Sequence, residues 1–165
     1  MAKVNTVLGE VSADSLGLIL PHEHLIVDTY DVRRSAEMVL LEPETMVKEV
    51  ALFKAAGGST MVDQTIYGLH PDPEILRYIS EKTGVHIIAG TGFYWDVYYP
   101  EWLHAMSTAD ITKRLVSHIT DGLPGTDIKA GFIGELGTHH RAIKPTEKRV
   151  LEAAAHAQRE TGIPI

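Results

Sequence analysis

The chain alternates short apolar runs with segments in which apolar residues recur at helical spacing. The apolar runs have the length and composition of buried strands, whereas the longer segments present one apolar face and one polar face. Turn-forming residues separate the two kinds of segment. The predicted strands cover 17–25, 59–65, 85–92 and 130–137, and the predicted helices cover 43–56, 70–84, 108–121 and 145–162.

Local signals support the helix ends. Asp72 is placed as an N-cap and Gly84 as a C-terminal stop for the second helix. Ser107 begins a Ser-x-x-Asp pattern, close to a capping box, ahead of the third helix. Pro145 lies near the start of the last helix and Gly162 just past its end. With these helix ends, the predicted elements follow one another as strand and then helix, four times.

Four consecutive strand–helix units predict a parallel sheet that is covered by helices and joined by right-handed crossovers. An open doubly wound sheet and part of a (β/α)8 barrel both fit this order. The connection after the first strand lacks the G-x-G-x-x-G turn of a dinucleotide-binding fold, which favours the barrel. We therefore expect an α/β fold, the N-terminal half of a (β/α)8 TIM barrel. It comprises four units and, at 163–165, the start of a fifth strand.

The predicted domain organisation is a single domain over 1–165. Residues 1–16 are expected to form a short N-terminal hairpin or flap, and 17–165 the strand–helix units. A complete barrel of this kind takes about 250 residues, so 165 residues supply about half of one. The expectation is therefore an incomplete barrel that pairs with a missing C-terminal half or with a second copy, because unpaired edge strands favour association.

Composition narrows the classes of function. The formal net charge is −7 and no basic block occurs, so nucleic acid is not an expected partner. The chain has no cysteine, and any metal ion must be bound by His, Asp or Glu. Neither a signal peptide nor an apolar run of membrane-spanning length is apparent, and the predicted location is the cytoplasm, with no membrane partner.

The first strand, "GLILPHEHL", carries the residues of greatest chemical interest. Side chains two apart on a strand point the same way, so His22 and His24 are expected to share a face with Glu23 opposite. Nine histidines in the chain predict roughly 0.4 His-x-His pairs by chance, so the spacing alone is weak evidence. A pair of hydrogen-bonded core histidines is the alternative. Glu135, at the end of the fourth strand, favours a metal site.

Other polar residues fall near the same edge of the predicted sheet. Asp63 and Gln64 end the second strand and either orient a metal-bound histidine or cap a turn. His139 and His140 follow Glu135 in the next loop and are expected to be solvated rather than to bind metal. The aromatic segment 93–102 either walls an apolar pocket, forms a subunit contact or packs on itself over the rim.

The motifs "GLILPHEHLIVD" and "AGFIGELGT" together resemble those of the phosphotriesterase family of the amidohydrolase superfamily. The resemblance covers essentially the whole chain in order, including "GGSTMVD" and "IIAGTGFY". It implies a (β/α)8 barrel with two divalent metal ions, usually zinc, at its mouth. By that resemblance His22 and His24 bind one metal, and Glu135 bridges the two and is the catalytic residue of this half.

Many members of the family use a carbamylated lysine as the bridge, whereas this chain has Glu135, as in the phosphotriesterase-homology branch. The resemblance therefore implies a metal-dependent hydrolase that uses a metal-bound hydroxide. Its expected small-molecule substrate is a lactone, a carboxylate ester or a phosphoester. We expect the isolated half to be inactive. The alternatives are a non-catalytic half-barrel that serves binding or assembly, and a mononuclear amidohydrolase that acts on C–N bonds.

Overall fold

The structure, a computed structural model, describes residues 2–165 as three small sheets and five α-helices. The central sheet has four parallel strands in the order β3-β6-β7-β8, and two antiparallel hairpins flank it. The strands are β1 Lys3–Thr6, β2 Gly9–Ser12, β3 Ile19–Glu23, β4 Val27–Asp28, β5 Val39–Leu40, β6 Thr60–Asp63, β7 His86–Thr91 and β8 Phe132–Ile133.

The helices connect the central strands and cover one side of the sheet. They are α1 Tyr30–Arg33, α2 Pro43–Ala55, α3 Pro73–Thr83, α4 Thr108–Thr120 and α5 Pro145–Thr161. The predicted ends of α3 are confirmed, since the Asp72 carboxylate accepts from the backbone N–H of Ile75 and Gly84 takes the left-handed conformation (φ 65°). Ser107 caps α4, and Gly162 ends α5. Helix α2 packs against α3, and α4 against α5.

The central sheet has the topology of half a (β/α)8 barrel, as predicted. Each strand is parallel to the next one in the chain order, and a helix follows each of β3, β6, β7 and β8. The strands are shorter than predicted, above all β8, which pairs with β7 only through Gly90↔Phe132 and Thr91↔Ile133. The predicted start of a fifth strand lies beside β8, where the backbone N–H of Ile133 donates to the Pro164 carbonyl (2.9 Å).

The predicted N-terminal hairpin is confirmed and is tied to the sheet. Strands β1 and β2 pair antiparallel. The backbone N–H of Val7 donates to the Ile87 carbonyl (2.9 Å), and the Asn5 side-chain amide donates to the Ala130 carbonyl (3.0 Å). Gly131 permits this approach, because a Cβ there would lie 2.6 Å from the Asn5 carbonyl oxygen. The hairpin therefore covers the amino ends of the barrel strands, opposite the rim where the strands end.

The main core lies between the sheet and the helices. It includes Ile87 and Ile133 from the strands and Ile79, Leu115 and Val150 from α3, α4 and α5, all about fully buried. Burial of each such side chain contributes roughly 1.5–3 kcal/mol. The opposite, concave face carries a smaller apolar cluster of Leu16, Ile88 and Phe132, with Val4, Val62 and Ile163 packed against it. This second cluster corresponds to the interior of the barrel.

Short elements also occur in two segments for which the sequence pattern predicts no helix or strand. Residues 26–42 hold the β4–β5 hairpin, α1 and a 3-10 turn at Ala36–Met38. The aromatic segment forms 3-10 turns at Asp96–Tyr98 and Glu101–Ala105. Within residues 2–165, no helix combines the length and apolar character needed to cross a bilayer.

Candidate metal centre

The three predicted site residues meet at the carboxyl-end rim of the sheet. His22 lies in β3, His24 follows it, and Glu135 lies just after β8. Nε2 of His22 is 3.3 Å from Oε2 of Glu135, and Nε2 of His24 is 3.4 Å from Oε1. The carboxylate thus offers one oxygen to each imidazole. The side chain of His22 is 57% exposed, that of His24 18% and that of Glu135 24%, so the cluster opens to solvent on the His22 side.

A bulge interrupts the pairing of β3 with β6 beside the two imidazoles. Leu20 pairs with Met61 and Glu23 with Asp63, so β3 contains one residue more than β6 between these pairs. Pro21 lies within the irregular stretch of this edge strand, a position that tolerates a residue without a backbone N–H. His24 lies beyond the last residue of β3, and its ring centroid is 5.6 Å from that of His22.

The separations fit a metal centre. One nitrogen or oxygen atom from each of His22, His24 and Glu135 lies within 4.8 Å of the other two. Two donor atoms that bind one tetrahedral zinc ion at roughly 2.0–2.1 Å lie about 3.4 Å apart. The nitrogen-to-oxygen distances of 3.3 and 3.4 Å, each measured to a different oxygen of Glu135, are close to that spacing. The donor set of two imidazoles and a carboxylate therefore suits a divalent cation of the zinc type.

The end of β6 holds the end of β3 in place. The fully buried Asp63 carboxyl accepts from the backbone N–H of Leu25 (2.8 Å) and from that of Thr65 (3.0 Å). Oγ1 of Thr65 is 3.0 Å from Nδ1 of His24. The backbone N–H of Gln64 donates to the Glu23 carbonyl (2.7 Å), and its side chain donates to the Pro21 carbonyl (3.1 Å). Asp63 thus caps the turn and holds the backbone of Leu25, next to His24, whereas its role in orienting a metal-bound histidine stays a prediction.

The pKa values of His24 and Asp63 are both raised, for different reasons. Burial lowers the pKa of His24, but its hydrogen bond to the Glu135 carboxylate and the nearby negative charges outweigh that effect and raise it overall. Burial raises the pKa of Asp63 to about 6, against the backbone N–H groups of Leu25 and Thr65, which favour its charged form. The negative charges around His24 therefore favour positive charge on the imidazole or close to it.

The loop that carries Glu135 is anchored from two directions. The backbone N–H of Gly137 donates to the Tyr94 carbonyl in the aromatic segment (2.5 Å). Farther along, the fully buried Glu147 carboxylate accepts from the backbone N–H groups of His139 (2.9 Å) and Lys144 (2.8 Å). Lys144 in turn forms an ion pair with Asp96. The aromatic segment and the start of α5 together hold this loop on the rim.

The other candidate residues lie apart from this cluster. His139 and His140 stack on each other at 4.6 Å, and the His139 ring lies 6.2 Å from that of Trp95. Neither belongs to the group of His22, His24 and Glu135. Thr65 was missed by the sequence analysis, although its position at the end of the strand that neighbours His24 was a usable signal. In a parallel sheet, residues that follow adjacent strands meet at one edge.

Two cavities border the rim. One of about 720 Å³ lies on the concave face and is lined by His22, Gln64 and Glu135 together with apolar side chains of the barrel interior. A second, of about 800 Å³, lies beside the aromatic segment and includes Tyr98 and Tyr99 in its wall. The aromatic segment mostly packs on itself, since Phe93, Tyr98 and Tyr99 are buried. The site residues thus open onto a space large enough for a small organic molecule.

Comparison with known proteins agrees with this geometry. The phosphotriesterase family matches residues 2–165. The chain belongs to the phosphotriesterase family. Its metal-ligand candidates therefore lie in a fold whose members are binuclear metal-dependent hydrolases, as the HxH strand and Glu135 predict.

Several known proteins resemble the chain in sequence and in structure. The N-acetyltaurine hydrolase of Rattus norvegicus is 37% identical over 99% of this chain and 55% of its own length. A resiniferatoxin-binding protein from Rhodobacter sphaeroides superposes with a TM-score of 0.91 at 30% identity, over 99% of this chain and 54% of that one. The lactonase Lmo2620 of Listeria monocytogenes gives a TM-score of 0.94 at 27% identity, over 99% and 56%.

The chain spans about half the length of the curated relatives it matches. The prediction of an N-terminal half of a (β/α)8 barrel is thereby confirmed as a description of the fold.

Proposed function

We propose that the chain is the N-terminal half of a metal-dependent hydrolase that cleaves an ester or amide bond. The convergence of His22, His24 and Glu135 at the carboxyl-end rim carries this proposal. In it, His22 and His24 bind one divalent cation and Glu135 bridges to a second. Zinc is the favoured ion, because imidazole nitrogen and carboxylate oxygen are among its usual ligands.

When bound, the cations supply Lewis acidity to the bond under attack and lower the pKa of a water molecule at the site. The residues of this chain hold the site together. Glu135 directs one carboxylate oxygen to each histidine and offsets part of the positive charge. Asp63 and Thr65 brace the backbone and ring of His24. The concave cavity beside His22 and Gln64 receives the substrate.

The proposed substrate is a carbonyl compound of small size. A lactone or carboxylate ester agrees with the glutamate bridge and with the lactonase fold of Listeria monocytogenes. An N-acyl amide is a second candidate, because the relative of 37% identity is an N-acetyltaurine hydrolase. We rank phosphoesters below both. The aromatic residues Tyr94 and Trp95, which are partly buried near the loop of Glu135, supply an apolar boundary.

We further propose that activity requires additional strands that complete the barrel. β3 and β8 form the two edges of the central sheet. Leu18 and Ile19 beside the first edge are exposed, as is Ile165 near the second, although all three are apolar. A C-terminal half of the same family would cover these edges, and a second copy of the chain is the alternative. A non-catalytic role in assembly remains the rival proposal for the chain alone.

Metal binding provides the first test. Zinc is titrated by calorimetry into metal-free chain and into His22→Ala and Glu135→Ala variants, with circular dichroism as a check on folding. The proposal predicts saturable binding by the chain and its loss in both variants. Equal binding by all three folded proteins would contradict the assigned ligands.

Hydrolysis provides the second test. The chain is joined to the C-terminal half of the Listeria monocytogenes lactonase and loaded with zinc, and the chain alone serves as the control. The fusion protein is assayed with a γ-lactone, an aryl ester, N-acetyltaurine and a phosphotriester. We expect hydrolysis of a carbonyl substrate by the fusion, none by the chain alone, and none after Glu135→Ala. Turnover that survives Glu135→Ala would contradict the proposal.

A further inference from the structure

One residue directly after β6 holds the backbone that leads into both candidate histidine ligands. The backbone N–H of Gln64 donates to the Glu23 carbonyl (2.7 Å), and its side-chain amide donates to the Pro21 carbonyl (3.1 Å). The Pro21 carbonyl belongs to the peptide bond that leads into His22. The Glu23 carbonyl belongs to the peptide bond that leads into His24. Gln64 therefore contacts the peptide unit directly before each histidine.

The direction of the side-chain hydrogen bond is fixed by its acceptor. A backbone carbonyl oxygen has no hydrogen to donate, so the amide nitrogen of Gln64, and not the amide oxygen, must face Pro21. Neither an amide nor a peptide carbonyl titrates near neutral pH. The contact therefore does not depend on the protonation of a histidine or of a carboxylate.

The side chain of Gln64 acts where the sheet is interrupted. Between its last two pairs with β6, strand β3 has two residues, Pro21 and His22, opposite Val62 alone. Such a bulge disrupts the ladder of hydrogen bonds locally. Within the described residues 2–165, β3 is also an edge strand of the central sheet, with β6 as its one neighbour. The Gln64 amide adds a hydrogen bond at this interruption, to the carbonyl directly before His22.

The two histidines depend on Gln64 to different degrees. The buried Asp63 carboxyl accepts from the backbone N–H of Leu25, which follows His24 (2.8 Å). The backbone is thus held on both sides of His24. His22 lies within the bulge, and its side chain is 57% exposed. The position of the His22 ring therefore depends more strongly on the backbone contact that the Gln64 side chain makes.

We propose that the side-chain amide of Gln64 is the positioning group of the metal centre, because it holds the bulged backbone of β3 and so keeps His22 beside His24. The inference rests on the proposed metal-binding function and adds Gln64 to it as a residue that acts through His22. The ring centroids of the two histidines lie 5.6 Å apart, and Nε2 of His22 lies 3.3 Å from the Glu135 carboxylate. These are the separations that Gln64 maintains.

Loss of the amide should loosen His22 without unfolding the chain. Gln64 is partly buried and its contact with the Pro21 carbonyl lies at the surface, so water can satisfy this carbonyl when the amide is removed. A water molecule does not tie the peptide unit to β6, whereas the amide does. The proposal therefore predicts a change in the position of His22 and in metal binding, with little change in stability.

The substitution Gln64→Met tests the contact, because methionine is of similar length and has no hydrogen to donate. The other glutamine of the chain, Gln158 on α5, provides the matched control Gln158→Met. Nuclear Overhauser effects between the ring protons of His22 and His24 are measured in metal-free chain at pH 8, with each ring assigned through its glutamine variant. We expect the ring-to-ring signal in wild type and in Gln158→Met, and its loss in Gln64→Met.

Three results of this measurement would overturn the proposal. They are an unchanged ring-to-ring signal in folded Gln64→Met, the absence of the signal in wild type, and its loss in Gln158→Met as well. Circular dichroism verifies folding, and Gln64→Ala replaces Gln64→Met if the methionine variant does not fold.

Zinc titration gives a second readout, followed by calorimetry and through the imidazole nitrogen signals. Gln64→Met is expected to weaken zinc binding by roughly tenfold, the lower end of the range for loss of an outer partner of a metal ligand, whereas Gln158→Met binds as wild type does. The His22 signals of Gln64→Met should respond only at higher zinc concentration. Wild-type affinity in folded Gln64→Met would overturn the positioning role.

The two readouts separate this inference from the proposed function. If the wild type binds no zinc, the proposed metal site fails, and the ring-to-ring signal alone decides whether Gln64 holds His22 in place. If the wild type binds zinc and both readouts are unchanged in Gln64→Met, the metal site stands and the role of Gln64 is refuted.

Discussion

Two histidines in this chain make the same hydrogen bond in different surroundings. His24 and His118 each place Nδ1 against a threonine hydroxyl, at 3.0 Å from Thr65 and 2.7 Å from Thr91 respectively. His24 is partly exposed at the rim, where Glu135 faces its second nitrogen. His118 is 4% exposed, lies on α4, and has the Tyr67 ring 5.8 Å from its own.

The surroundings shift the pKa values of the two imidazoles in opposite directions. Negative charge outweighs burial at His24 and raises its pKa, whereas burial and the nearby Arg114 guanidinium lower the pKa of His118 to about 4. A histidine–threonine hydrogen bond therefore does not by itself make a metal site. A carboxylate in reach of the second nitrogen and an opening to solvent are what separate a candidate ligand from a packing residue.

Removal of the carboxylate tests the comparison most strongly. In Glu135→Ala, both imidazoles lose their acidic partner, and zinc affinity is expected to fall by more than about 100-fold, because even the loss of an outer partner costs roughly 10–100-fold. Calorimetry measures the change. Glu160→Ala, which removes an exposed carboxylate of α5, is the control and should bind as the wild type does. A folded Glu135→Ala chain with unchanged affinity would erase the distinction between the two histidines.

The buried histidine is tested by the pH dependence of stability. Because the pKa of His118 falls from 6.5 to about 4 on folding, the unfolded chain binds the proton more readily between these values. Its contribution is therefore fully present above pH 6.5 and is lost as the pH falls towards 4, by up to about 3 kcal/mol.

The glutamine in His118→Gln cannot ionise. Urea unfolding at pH 4.5, 5.5 and 6.5 gives the free energy of unfolding of this variant and of wild type. The stability of wild type relative to the variant should rise with pH across this range. Asp63 acts in the opposite sense, since its pKa rises on folding and its contribution is lost as the pH rises from 3.8 towards 6. That contribution is common to both proteins and cancels in the difference. A difference that is constant with pH would refute the assignment of His118.

For His24, at the rim, stability should depend on pH in the opposite sense. The effect should be smaller because the ring is partly solvated. The pKa of His24 is raised on folding, so its contribution in metal-free chain is present below pH 6.5 and is lost as the pH rises through the folded value. The stability of wild type relative to His24→Gln should therefore fall as the pH rises above 6.5. Urea unfolding with a chelator present measures this, and a rise would contradict the prediction.

The smallest effect concerns the hydroxyl partner of the buried histidine. Thr91→Val removes its hydrogen bond to His118 and is expected to lower the free energy of unfolding by about 1 kcal/mol. Zinc affinity should stay at the wild-type value, whereas Thr65→Val, which removes the hydroxyl beside Nδ1 of the proposed ligand His24, is expected to weaken it. Parallel thermal unfolding and zinc titration of the two valine variants make the comparison. A loss of zinc binding in Thr91→Val would show that the two pairs are not independent.

Much of the fold was predictable because its signals are local. Asp72, Ser107 and Gly162 lie where the sequence analysis expected the helix ends, since capping depends on a few neighbouring atoms. The order of strands followed from the repeated strand–helix pattern. His22, His24 and Glu135 could be placed together because the ends of parallel strands meet at one edge.

The parts that were missed depend on contacts between distant segments. The bulge in β3 arises from its pairing with β6, and alternation within one strand does not reveal it. Thr65 acquires its importance only from the approach of His24, 41 residues away. The shortness of β8 likewise reflects pairing with β7. Local sequence patterns were therefore enough to locate the candidate site. The groups that hold its residues in place are visible only in the three-dimensional structure.

We propose above all that His22 and His24 bind a divalent cation at the rim. The most direct measurement is a zinc titration of metal-free chain monitored through the side-chain nitrogen signals of its histidines. We expect the Nε2 signals of His22 and His24 to shift together and saturate, while those of His118 stay unchanged. Zinc binding that leaves both rim histidines unshifted, or no saturable binding at all, would contradict it.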